Sequence, residues 1–317
     1  MKPIKEALIF NTIHDLYSSV GLGNKIDKKC EFSIFNLADI HTEFPYTSPV
    51  YRSNFFSFFF VKDCYGKCST DGIVSDAFPG SVYIDNPGHY KTFTWYAIKE
   101  VYLITLTESF LKENVHADVF EAFPFLLSEN IPPKVLALDA FTQFEQVYKQ
   151  ILKEYITASP YRNKLIGYLF VIILIKIKEF FWNDYDPVTE GSRPSEIVRK
   201  FKITLEQHYR DLSSGRAEKA FRVQEYADAQ NLHPNYLSTV IKSKTGKAVG
   251  TWIAEKTIAE AKSMLRNSSA SIKEISYLLG FSESAHFSNY FKKRTKVSPA
   301  LFRKEYNISE PKVETRA

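Results

Sequence analysis

Hydrophobic and polar positions change period along this chain. From about residue 30 to 107, aromatic and β-branched residues come in short runs: FSIFNLADI, YRSNFFSFFFVKD, GSVYIDN and VYLITLT. The clusters TDG, FPG and NPGH punctuate them, a strand-and-turn pattern that predicts a small barrel or sandwich. From Glu108 the apolar spacing becomes helical, in TESFLKENVHADVFEAF, LDAFTQFEQVYKQILKEYITAS and RNKLIGYLFVIILIKIKEFFW. Pro132-Pro133 and Ser159-Pro160 separate these stretches. Asn183 to Glu196 has turn residues and no apolar period, and predicts a linker. From Ser195 onward short amphipathic segments follow one another, each bounded by Gly, Asn, Ser or Pro at cap positions. The tail after Arg303 is polar, and fraying is expected there.

Two of the late helical pairs repeat each other. Val223, Glu225, Tyr226 and Ala229 align with Ile272, Glu274, Ile275 and Leu278 at an offset of 49. Leu237, Ser238, Ile241, Lys242 and Thr245 align with Phe287, Ser288, Phe291, Lys292 and Thr295 at an offset of 50. Each copy reads as helix, tight turn, helix. The turns are Asn231-Leu232-His233 and Gly280-Phe281-Ser282, and Asn and Gly suit the left-handed conformation such a turn needs. Leu232 and Phe281 are expected to plug the space between the paired helices. A second helix with a polar leading half and cations at its end can meet base edges with the first and phosphates with the second. Tyr236 is placed at the core, and His286 toward the groove.

Charge sharpens this picture. Of 41 Lys/Arg and 36 Asp/Glu, the stretch from Gly191 to the end holds 23 and 13, leaving 18 against 23 in the rest of the chain. A basic C-terminal part beside an acidic N-terminal part points to a polyanion partner for one domain only, although a solvated basic face would read the same way. Three cysteines (Cys30, Cys64, Cys68) fit a reducing compartment better than a disulfide framework. No second pair completes the CYGKC spacing into a zinc site. The N-terminus lacks the apolar core and cleavage site of a signal peptide. The run from Leu165 has about eleven uninterrupted apolar residues, where a bilayer span needs about 20, so a soluble, cytoplasmic protein with no membrane partner is expected. No phosphate loop, nucleotide fold or hydrolase nucleophile motif is present, and the chain reads as a non-enzyme without a cofactor.

From about Ser195 to Arg303 the chain resembles the AraC/XylS family of bacterial transcription regulators. GFSESAHFSNYFKK…VSPALFR carries the resemblance, because its Gly-Phe, Phe-Ser, Phe-Lys, Ser-Pro and closing Arg fall at the family spacing. The resemblance implies an α+β protein: a cupin-like barrel with a helical extension over 1–182, a linker over 183–194, an all-α double helix-turn-helix domain over 195–307 and a polar tail over 308–317. It implies a homodimer on double-stranded promoter DNA, acting as an activator under a small-molecule effector, with RNA polymerase as a further partner. By similarity, Asn235, Ser238, Thr239, Lys242 and Lys244 in the first unit, and Ser284, His286, Asn289, Lys292, Lys293 and Arg294 in the second, face DNA. The chain departs from the family at Lys296, where Gly is usual, at Lys256, where Arg is usual, and at Thr239 and Asn289, which stand where many members have a DNA-contacting Arg. In the barrel, His41, Tyr51, Arg52, Tyr83 and His89 are expected around an effector pocket. The His-x-His set of metal-binding cupins is missing, so no metal site is expected. The helices after Glu108, above all Leu165 to Phe181, are expected to pair subunits. Two rivals stand beside this reading: a regulator whose barrel only dimerises or contacts other proteins, and a cupin-type enzyme fused to a DNA-binding module.

Overall fold

The computed structural model describes residues 7–116, 118–128, 131, 133–181 and 193–309. Its fold is α+β, with a sheet-rich N-terminal part and a helical C-terminal part, as expected. Among the described residues nine strands make one sheet: β1 (Leu8–Phe10), β2 (Phe32–Asn36), β3 (Tyr46–Thr47), β4 (Tyr51–Ser53), β5 (Phe56–Thr70), β6 (Ile73–Ala77), β7 (Ser81–Asp85), β8 (Lys91–Leu106) and β9 (Lys134–Val135). The order is β1-β4-β8-β5-β7-β9, with β2 and β3 also on β8 and β6 also on β5. Long β5 and β8 run antiparallel along their length and form the spine.

Side chains alternate across a strand, and in β5 both faces are apolar. Phe56, Phe58 and Phe60 join one core with Ile104, Leu106, Phe144, Phe170 and Ile173. Phe59 and Val61 join the other, with Tyr51, Phe93, Trp95, Val101 and Leu103. The first core lies beneath α4 (Leu138–Ile156) and α5 (Arg162–Phe181); the second is enclosed by the sheet and α1 (Ile13–Ser19). That two-sided burial explains why FSFFFV reads as a continuous apolar run.

The stretch after Glu108 departs from the long helix expected there. It forms α2 (Glu108–Phe110), one wide turn over Leu111–Val115, α3 (Val119–Ala122) and a tight turn over Pro124–Leu127. Packing sets this irregular path: Asn114 lies so close to Gly167 of α5 that a Cβ there would meet its carbonyl oxygen at 2.0 Å. The expected linker falls mostly outside the described residues, and the helix after it starts at Arg193. The expected polar tail over 308–317 falls mostly outside the described residues; the last helix runs to Ser309.

The C-terminal part is all helix: α6 (Arg193–Ser213), α7 (Val223–Asp228), α8 (Pro234–Thr245), α9 (Val249–Asn267), α10 (Ile272–Leu278), α11 (Ser284–Thr295) and α12 (Pro299–Ser309). It has its own core, with Phe201, Leu205, Tyr226, Leu237, Ile241, Trp252, Ile275, Phe287 and Phe291 at its centre. No helix among the described residues is long and apolar enough to cross a membrane.

Candidate nucleic-acid interface and effector cavities

The repeat survives in three dimensions, position by position. Asn231 and Gly280, the turn residues of α7–α8 and α10–α11, both take left-handed backbone, with φ of 54° and 79°. Leu232 and Phe281 pack against the shared core. Leu237 and Ile241 in α8 are fully buried, as are Phe287 and Phe291 in α11. The ends match too. Gly246 and Lys296 cap α8 and α11 in left-handed backbone, and their N–H groups donate to Lys242 O and Lys292 O. Thr245 and Thr295 each turn a hydroxyl back to the helix, onto Ile241 O at 2.7 Å and Phe291 O at 2.9 Å. Ser271 and Glu274 close a reciprocal N-terminal cap on α10 (3.1 and 2.7 Å).

Burying one stripe of each second helix leaves the opposite stripe in water. On α8 that stripe is Asn235, Tyr236, Thr239, Lys242 and Ser243; on α11 it is Ala285, His286, Asn289, Lys292 and Lys293. These are the same repeat positions. Ser238 and Ser284 are half-buried at its edges, and Lys244 is half-buried on the side of Asp71. Thr239 spends its hydroxyl on Asn235 O (2.8 Å), so its methyl is what it shows outward. Arg294 leaves the stripe: it stacks on Tyr290, 4.8 Å from the ring centre, and borders a cavity between the domains. Tyr236 is exposed and lies on the stripe, where the sequence reading put it at the core. Ala285 was missed; the offset of 50 from Asn235 would have found it.

The five expected effector residues do not converge. His41 and Tyr51 line a cavity of about 60 Å³ inside the sheet, with Tyr46, Phe59, Phe93 and Trp95. His41 stacks on Tyr46 at 4.0 Å, and burial lowers its pKa below the usual imidazole value. Tyr83 is buried, and its hydroxyl donates to Asp76 O at 2.5 Å. Arg52 and His89 lie on the other side of the wall, beside the end of α8. Arg52 Nη2 donates to Ser243 O (3.1 Å), and His89 Nδ1 lies 2.8 Å from Asp71 Oδ2. Among the described residues no three His, Cys, Asp or Glu gather as a metal site, and all three cysteines are free.

A larger cavity, about 300 Å³, opens where the two domains meet. Phe56, Phe120 and Leu126 face it from one side; Lys202, Trp252 and Ile258 face it from the other. Beside it lies an ionic cluster invisible in the sequence. Lys256, 1% exposed, pairs with Glu206 of α6, with Glu260 at 3.3 Å and, across the domain boundary, with Glu108 at 3.2 Å. Lys112 crosses the other way to Glu260 (2.6 Å) and Glu206 (3.4 Å). Burial disfavours the Lys256 charge, but the three carboxylates outweigh it and hold its pKa well above the usual lysine value. Arg266 reaches Glu113, and Lys262 reaches Glu31 at 2.5 Å.

On α5, Ile166, Phe170, Ile173 and Ile177 face the core, while Leu165, Tyr168, Ile172 and Ile175 stand in water. The exposed set is spaced 3, 4 and 3, the spacing that coiled-coil seams use.

Known proteins share the C-terminal part. The family described as "Helix-turn-helix domain" matches residues 226–305. The chain is similar to the uncharacterized HTH-type transcriptional regulator YobQ of Bacillus subtilis, 33% identical over 81 residues, covering 26% of this chain and 34% of that one. It is 28% identical over 141 residues to the Msm operon regulatory protein of Streptococcus mutans, covering 44% and 47%. The chain thus spans under half the length of these curated relatives. Among solved structures it is similar to ToxT from Vibrio cholerae O395, at 13% identity and a TM-score of 0.36, over 86% of this chain and 96% of that one.

Proposed function

We propose that this chain, whose residues 226–305 are a helix-turn-helix domain of the AraC/XylS type, is a sequence-specific DNA-binding transcription regulator with a ligand-sensing N-terminal domain. One observation carries the reading: the same exposed stripe occurs on α8 and α11, each behind a left-handed turn. The helix between them, α9, has 19 residues, a length of roughly 28 Å. That suits two helices entering successive major grooves of one DNA face, about 34 Å apart. Asn289 can pair with adenine, and the Thr239 methyl can meet a thymine methyl. Lys242, Lys292 and Lys293 supply phosphate contacts, which fix register and make affinity fall with salt. Subunits pair through the exposed seam of α5.

Selection of genomic fragments at several salt concentrations tests this. A recovered site with two contacts one helical turn apart is the expected result. Weak binding that ignores sequence and fades steeply with salt would reduce the C-terminal part to a charged surface. Effector sensing is tested apart from DNA. A metabolite that binds the native state must raise the melting midpoint as its concentration rises; a barrel that only dimerises shows no such ligand.

A further inference from the structure

We infer that Arg52 is a positioning residue, joining the wall of the barrel cavity to the first helix-turn-helix unit. The connection to the cavity rests on the sensing role proposed above; the positioning does not.

Strand β4 is three residues long, and successive side chains in a strand point to opposite faces. Tyr51 faces inward, onto the cavity shared with His41 and Tyr46, its ring 5.3 Å from that of Phe10. Arg52 faces outward and is 4% exposed. Its guanidinium carbon lies over the Tyr90 ring, 3.4 Å from the centre, and Nη2 donates to Ser243 O at 3.1 Å. Ser243 belongs to the last turn of α8, whose carbonyls have no partners within the helix and form the negative end of its dipole. The Asp71 carboxylate attracts Arg52 without forming an ion pair with it, and the end of α8 supplies its backbone acceptor. The fit is close on both sides. A Cβ at Gly246 would lie 2.6 Å from Arg52 Nη1, and a Cβ at Gly88 would lie 3.3 Å from Thr245 Cα. The NPGH turn thus has a use beyond reversing the chain: Gly88 lets the barrel approach the end of α8.

A cavity of about 60 Å³ holds a few waters and is smaller than ordinary ligand pockets, at about 300 Å³ or more. A ligand entering it has to push wall side chains outward. Tyr51 is one of them; β4 is held to β8 by one residue pair, Tyr51 with Lys91, and on its other edge to the equally short β1 by three. Displacing Tyr51 therefore moves Arg52 and with it the cap on α8.

Hydrogen–deuterium exchange on the full chain tests this at the amides of Lys244–Gly246. Arg52→Ala should speed exchange there by at least tenfold and leave α11 unchanged. Arg52→Lys, which keeps the charge, should recover part of the protection. On a fragment selected by the wild type, Arg52→Ala should weaken footprinting at the half-site read by α8 and spare the other. Unchanged α8 exchange, or tighter DNA binding, would overturn the positioning role. Leu16→Trp fills the cavity from the far wall. It should also speed exchange at the end of α8, and Leu16→Trp with Arg52→Ala should match Arg52→Ala alone. If Leu16→Trp leaves α8 as it was while Arg52→Ala does not, the link to the cavity is wrong and the positioning stands. Circular dichroism of each variant separates these outcomes from misfolding.

Discussion

Replacing Lys296 by glycine is expected to stabilise the protein. Three described non-glycine residues have positive φ: Asp71, Asn231 and Lys296. Asp and Asn tolerate that region because their short polar side chains bond locally; Lys has no such device. Lys296 sits at φ 69°, ψ −4°, where the first repeat places Gly246 at φ 76°, ψ −10°. The left-handed conformation costs an L-residue about 1–2 kcal/mol. Glycine escapes that cost but gains freedom in the unfolded chain, giving back about 0.4–1 kcal/mol. The lost Lys296 Nζ to Lys293 O bond is long (3.3 Å) and exposed, worth a few tenths at about 0.3 kcal/mol. The net gain is about 0.5 kcal/mol, a rise of roughly 1–2 °C in melting midpoint. Circular dichroism melts without DNA read it directly. Gly246→Ala is the opposite control: it meets the same strain plus Arg52 at 2.6 Å, and should destabilise by about 2 kcal/mol or more. A midpoint for Lys296→Gly at or below the wild type would refute the claim that this backbone stores strain.

Burial pushes Glu113 up to about 8, outweighing its pairing with Arg266. The folded protein therefore keeps a proton there that the unfolded chain has released. Stability from this group falls as pH rises from about 4.5 to 8 and is level above. Glu113→Gln should flatten that part of the stability–pH curve, measured by urea unfolding from pH 5 to 9. Arg303 ties α12 to the end of α9 through Leu265 O (3.2 Å) and Ala270 O (2.7 Å). Arg303→Ala should cost about 2–3 kcal/mol in denaturant melts, with DNA site preference unchanged in the fraction that stays folded. Asn289→Ala should relax preference at one base position at a cost of about 1–3 kcal/mol. Lys293→Ala should instead weaken all sites alike and lower the salt slope by about 1. Swapped outcomes for these two variants would reverse their assigned roles.

The DNA-binding half was legible because its information is local. Turn residues, caps and apolar stripes sit within a dozen residues of one another, and duplication states them twice. The Gly-Phe of the second turn and the closing Arg303 were visible as motif letters, and the structure gives them packing roles. The sheet-rich N-terminal part was legible only as strands. Which face of β4 looks inward depends on pairing with β1 and β8, so Tyr51 and Arg52 were grouped into one pocket although they point apart. Tyr236 was misplaced because an aromatic residue next to buried Leu237 reads as core when the helix face is unknown. The junction between domains was not legible at all. Lys256 and Glu108 are 148 residues apart in the chain, and charged residues in amphipathic helices look solvated until the partner helix is known.

The junction has a character that bears on how such a protein can switch. Each domain closes its own hydrophobic core, and none of the three core clusters crosses the boundary. What does cross is largely ionic: Lys256 to Glu108, Lys112 to Glu260 and Lys262 to Glu31. Burying charges costs hydration that their mutual attraction roughly repays, so such a contact adds little net stability. Separating the domains returns these charges to water and exposes little core. An apolar junction of the same size would lose about 25 cal/mol for every Å² exposed. Position is another matter, because each pair is directional and fixes the angle at which α9 meets the barrel extension. A junction that sets geometry firmly but holds it weakly is what a ligand of modest binding energy can shift, since it need only favour one arrangement over the other. The two exposed stripes lie on α8 and α11, before and after α9 in the chain, so a shift of α9 at this junction displaces the helix that joins their two units.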